Sequence, residues 1–152
     1  MKKPNVGRAV VAGIAGTVAM TMMILVGPMM GMPEMYIGNM LAEFMGIPIT
    51  LGWIMHFMIG TVLALIYVFM FADKLPGAPW LRGALYGLVP WFVSQIMVNP
   101  MMGAGLFASN MPDAMMIVMG SLMGHLIYGA VVGAIYGKQG VQPQSQVSHS
   151  HN

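Results

Sequence analysis

The chain has 152 residues, of which 58% are apolar and only 7% charged. A water-facing domain carries roughly 25% charged residues, so this composition excludes an ordinary soluble fold and predicts one domain dissolved in lipid. The net charge of +2 gives no basis for a nucleic-acid partner, and the absence of cysteine excludes disulfides, thiolate metal sites and cysteine nucleophiles.

In chain order, Met1-Lys2-Lys3 precedes a first apolar run over residues 6–26. This run is too long for a signal-peptide core, and Gly27-Pro28 follows it rather than a small-x-small cleavage site, so it reads as a retained first helix. The first loop has its own pattern. Pro33 and Glu34 suit a helix start, and Gly46 with Pro48 suits a stop. Ile37, Met40, Leu41, Phe44 and Met45 form one stripe opposite Asn39 and Glu43, which predicts a short helix lying on the membrane interface. Further apolar runs follow at 50–71, 81–98 and 114–136. Each is long enough to cross about 30 Å of hydrocarbon at about 1.5 Å per residue. None contains Asp, Glu or Lys; Arg8 and Arg82 stand at helix ends, where they can snorkel. Pro90 falls inside the third run and predicts a kink. The tail at 139–152 is polar and predicted to be disordered.

Charge sets the orientation. Lys2, Lys3, Arg8, Lys74, Arg82 and Lys138 all fall at the N-terminus, the second loop and the C-terminus; Glu34, Glu43 and Asp113 fall in the first and third loops. The positive-inside rule therefore puts both termini in the cytoplasm.

The chain also repeats itself. Arg8 and Gly13 match Arg82 and Gly87, and the turn Pro28-Met29-Met30-Gly31 recurs as Pro100-Met101-Met102-Gly103. His56, Gly60 and Tyr67 match His125, Gly129 and Tyr136 at identical spacing. The predicted fold is all-α, a four-helix transmembrane domain over 1–138. It comprises two tandem hairpins at about 6–72 and 80–138. Each repeat crosses twice, so both insert the same way up and a pseudo-twofold axis runs along the membrane normal.

Two features bear on function. Gly52, His56, Gly60 and Ala64 lie on one helix face, as do Ser121, His125, Gly129, Gly133 and Gly137. Small residues at this spacing let membrane helices approach closely, so both histidines are expected in the bundle interior. There they hydrogen-bond to Gln95, Ser94 or each other, or hold a ligand. As axial ligands of a haem, with Gly60 and Gly129 making room for the ring, they form a cofactor site. Methionine is the second feature. Of 21 methionines, all but Met1 and Met70 fall in the outer loops or outer helix halves. Thioether sulfur and imidazole both suit Cu(I), which makes Met29, Met30, Met101 and Met102 with His56 and His125 a candidate metal site. Otherwise flexible methionine fills gaps or forms an adaptable docking face. His149 and His151 in the tail are weak metal ligands at best.

No span holds the internal carboxylate or lysine that ion-coupled transport requires. No nucleophile–base pair, phosphate loop or metalloprotease motif is present. The runs AGIAGTVAM, GWIMHFMIG, RGALYGLVPW to NPMMGAGLF, and SLMGHLIYGAVVGAIYG resemble a family of small bacterial four-helix membrane proteins of unknown function, over residues 6–138. The resemblance implies a multi-pass protein of the bacterial inner membrane and supplies no chemistry. The expectation is a non-enzymatic accessory or structural subunit without a cofactor. Its partners are the bilayer and other membrane subunits or further copies of itself. The alternative is a copper- or haem-binding protein.

Overall fold

The computed structural model describes residues 4–137; the tail at 139–152, Lys2, Lys3, Lys138 and the tail histidines lie outside the described residues. Among the described residues the fold is all-α, with four helices long and apolar enough to cross a membrane.

The first crossing, α1 (Val6–Val26), opens on Asn5, whose side-chain oxygen accepts from the Arg8 amide at 3.0 Å. This satisfies one of the donors that a helix start leaves free. A 3-10 turn, Gly27–Met30, carries the chain out and ends at Gly31, whose φ of 84° only glycine adopts without strain. The short helix α2 (Ile37–Met45) ends at Gly46 in the left-handed conformation. It begins later than Pro33 and Glu34 suggest. Met32 folds back onto Gly27, its amide bonded to the Gly27 carbonyl at 3.1 Å, and the next four residues run as a connector.

The second crossing, α3 (Ile49–Ile66), continues as a π-helical segment, Tyr67–Phe71. The third, α4 (Pro79–Val93), contains Pro90, continues as a second π segment, Ser94–Val98, and closes on one turn, Asn99–Met101. Pro90 has no N–H for the Tyr86 carbonyl, and the wider turns follow directly after it. The last crossing is α5 (Ala114–Gly137). Chain direction puts the starts of α1 and α4 with the ends of α3 and α5 at one end of the bundle, called here the terminal end. The 3-10 turns and α2 lie at the other, the loop end.

Small residues set which helices touch. Gly13 of α1 lies against Gly60, Thr61 and Ala64 of α3, while Gly16 lies against Tyr128 and Val132 of α5. The α4–α5 pair is the closest. A Cβ at Gly83 would overlap the Gly129 carbonyl, and one at Gly133 would overlap the Pro79 carbonyl. Backbone approach of this kind takes the place of the hydrophobic effect, which lipid does not supply between helices. The ridge of α5 expected to line the interior therefore packs on α4. A second ridge, Gly120, Gly124, Tyr128 and Val132, faces α1 and its loop. Gly52 serves neither: its space is filled by Gly38 and Ala42 of α2. Helix α2 thus docks on α3 through its small residues, leaving Phe44 and Met45 exposed.

Two arginines tie the terminal end. Arg8 donates from Nε to the Ile135 carbonyl at 2.7 Å, and Arg82 donates to the Gly77 and Ala72 carbonyls at 2.7 and 3.2 Å. A cation on the last carbonyls of a helix also complements the helix dipole.

Candidate functional site

Helices α3 and α4 do not pack along their length. They meet towards the terminal end, through Tyr86. Its ring lies 5.2 Å from that of Tyr67 and 5.1 Å from that of Phe71, and its hydroxyl donates to the Leu63 carbonyl at 2.8 Å. Nearer the loop end the two helices part, leaving a cavity of about 460 Å³. Such a volume lies within the roughly 300–1,000 Å³ of small-molecule sites. Its exposed apolar lining comes from Ile59 and Ile66 on α3, Val89 and Val93 on α4, and Val98 just beyond α4. The back wall comes from α1 and α5, and Met40 and Leu41 of α2 line the loop end.

Both sequence-predicted histidines reach this cavity. His56 is buried, and its Nε2 lies 3.1 Å from the Thr21 hydroxyl. Thr21 gives its proton to the Thr17 carbonyl at 2.7 Å, so Nε2 of His56 is the donor in that pair. His56 therefore bonds across the bundle to α1, rather than to Gln95, Ser94 or the other histidine. His125 bonds within its own helix, Nδ1 to the Ser121 carbonyl at 2.8 Å. A carbonyl only accepts, so Nδ1 carries the proton, and Nε2 of the neutral ring presents a lone pair. Gln95, among the most buried side chains, is held by Ser94, Ser121 and Asn99 instead.

The glycines beside the histidines are filled from other helices. A Cβ at Gly60 would overlap the Thr17 hydroxyl, and one at Gly129 would overlap the Gly83 carbonyl. The Gly60 carbonyl accepts from the Tyr128 hydroxyl. Of the methionines singled out in the two repeated turns, Met102 lines the cavity, whereas Met29, Met30 and Met101 point outwards. Met20, Met23 and Met32 line it as well. Gly120 and Gly124 leave the space in which their methyl ends lie. Among the described residues there is no cluster of three or more His, Asp or Glu arranged to hold a metal.

Sequence reasoning places Thr21 among the polar residues near the histidines without pairing it with His56, and misses Tyr86 and Tyr128 as organisers of the site. Tyr86 carried no signal, because nothing in the pattern says that α3 and α4 separate above it. Tyr128 stands four residues before the buried Val132 and four after Gly124, a periodicity that marks a second packed face.

No curated protein and no solved structure matches the chain. A family model does, over residues 4–147, a stretch that takes in all four crossings and every residue of the cavity. The chain belongs to that family, a family of unknown function (DUF6789), and is a small polytopic membrane protein within it.

Proposed function

We propose that this protein is a non-enzymatic accessory or structural subunit of a larger membrane complex, docking through its loop end. One observation carries the reading. The most exposed large apolar side chains of the described residues are Met29, Met30, Met115 and Met101, at 86, 78, 74 and 64%. All four sit at the loop end, in or beside the turns that link the crossings. Flexible thioethers form an adaptable contact surface for a partner. Interior hydroxyls, meanwhile, tie one helix to another, Tyr128 to the Gly60 carbonyl and Tyr86 to the Leu63 carbonyl.

The same reading treats the halves as duplicated hairpins, inserted in parallel about a pseudo-twofold axis. In its favour, the repeat-matched Arg8 and Arg82 each reach the end of the second long helix of the other half. The symmetry is not strict. Gly13 faces Gly60, whereas its counterpart Gly87 faces the His125 carbonyl, one turn nearer the loop end. Termini in the cytoplasm of a bacterial inner membrane complete the proposal. Arg8, Lys74 and Arg82 lie at the terminal end, and Glu34, Glu43 and Asp113 at the loop end, as the positive-inside rule requires.

The test is purification in mild detergent followed by mass determination. Wild type is expected to migrate with a stoichiometric partner subunit. Replacing Met29, Met30, Met101 and Met115 with Ser should release it while the helical circular dichroism stays unchanged. A wild-type protein that is monomeric and alone under these conditions overturns the reading.

A further inference from the structure

We propose that the cavity between α3 and α4 is a binding site for a neutral, hydroxyl-bearing lipid that enters sideways from the hydrocarbon and hydrogen-bonds to Nε2 of His125. The inference does not depend on the accessory-subunit reading.

Access comes first. Tyr86 joins α3 to α4 towards the terminal end, and α2 covers the loop end. The exposed apolar residues of the cavity lining, Ile59, Ile66, Val89, Val93 and Val98, all lie within crossings that contact lipid. A ligand passing between them arrives from the membrane rather than from water.

The wall then sets the chemistry. Among the described residues no Asp, Glu, Lys or Arg lines the cavity, and most of its surface is apolar. An ionic headgroup would lose its hydration here with no counter-charge in return. The ligand is therefore uncharged. Most polar groups of the wall are already engaged. Thr17 donates to the Gly13 carbonyl at 2.8 Å, Ser94 to the Trp91 carbonyl at 2.6 Å, Asn99 to Gln95 at 3.0 Å, and Tyr128 to the Gly60 carbonyl. His56 commits its Nε2 proton to Thr21, so its lone pair is on Nδ1, which has no partner among the described residues.

In His125 the Nδ1 proton is committed to the Ser121 carbonyl, and Nε2 has no partner among the described residues. No fully buried side-chain nitrogen or oxygen lacks a partner there. Nε2 is therefore accessible, and the accessible space beside this residue is the cavity. The open position accepts a hydrogen bond and cannot give one, so it selects a donor. An apolar chain ending in a hydroxyl satisfies the wall and the open imidazole acceptor together; an ether, an ester or a hydrocarbon leaves that acceptor unfilled, although the Ser121 hydroxyl can donate to an oxygen.

The experiment uses the full chain in phosphatidylcholine nanodiscs with tritiated geranylgeraniol, its methyl ether as the donor-free control, and a scintillation proximity readout. Saturable binding of the alcohol is expected, with the ether about tenfold weaker, the scale of one lost hydrogen bond. His125→Phe, which keeps the ring and removes the acceptor, should weaken the alcohol to the level of the ether. Val89→Trp, in the exposed apolar lining and away from the packed ridges, should block both and leave thermal unfolding unchanged. It serves as the folded control if His125→Phe is unstable. Three outcomes overturn the proposal: non-saturable uptake unaffected by Val89→Trp, equal affinity for alcohol and ether, or stoichiometric copper bound through His125 in the purified protein.

Discussion

One added methyl group separates the glycines that hold this bundle from those that do not. At Gly129 a Cβ would strike the Gly83 backbone carbonyl, and a backbone cannot rotate away. Gly129→Val should push α4 off α5 and destabilise the protein by about 1–3 kcal/mol or more, the usual scale of overpacking. Gly7 is the contrast. A Cβ there meets only the Asn5 side chain, at an ordinary 3.7 Å. Gly7→Ala should be neutral or stabilise by up to about 1 kcal/mol, through the smaller entropy loss of alanine in a helix. Thermal unfolding in detergent, followed by circular dichroism, compares the two. Equal melting temperatures would refute the claim that the α4–α5 contact depends on backbone approach.

At the scale of elements, α2 is the separable part. It touches the bundle through Gly38 and Ala42 against Gly52, with Trp53 lying over Gly38. Gly52→Leu should lift α2 away and leave the four long helices in place. Limited proteolysis should then cut within residues 32–48 much faster than in wild type, with little change in helical dichroism. Global loss of helix in that variant would mean that α2 is part of the core. Because Met40 and Leu41 line the cavity, the same variant should also open its loop end. The apolar stripe legible in the sequence located this helix. It did not reveal the docking face, because two small residues carry little weight in a hydrophobic pattern and much weight in a close helix contact.

For the whole molecule, the distribution of charge makes an orientation testable. The chain has no cysteine, so a single introduced thiol reports its own side of the membrane. Ser109→Cys, at the loop end, should react with a membrane-impermeant maleimide in intact spheroplasts. Lys74→Cys, at the terminal end, should react only after the membrane is opened. The reverse pattern would invert the proposed topology.

The sequence by itself determined the solvent, the four crossings and the helix directions, because hydrocarbon admits only long apolar helices and every crossing reverses the chain. It also placed His56 and His125 on small-residue faces. Only the tertiary structure decided what each face meets. Gly52, Gly60 and Gly129 are alike in pattern, yet they receive α2, the Thr17 side chain of α1 and the α4 backbone respectively. A small residue records that something comes close without recording which helix. The gap between α3 and α4 was equally illegible, since a cavity is the absence of a contact among helices that are each apolar all round. The state of the two imidazoles followed last. His56 donates to Thr21 and His125 donates to Ser121, and these partners are set by helix rotation and side-chain rotamer. That difference, which two identical repeat positions conceal, puts the free lone pair on Nδ1 of His56 and on Nε2 of His125, and both residues line the same apolar cavity.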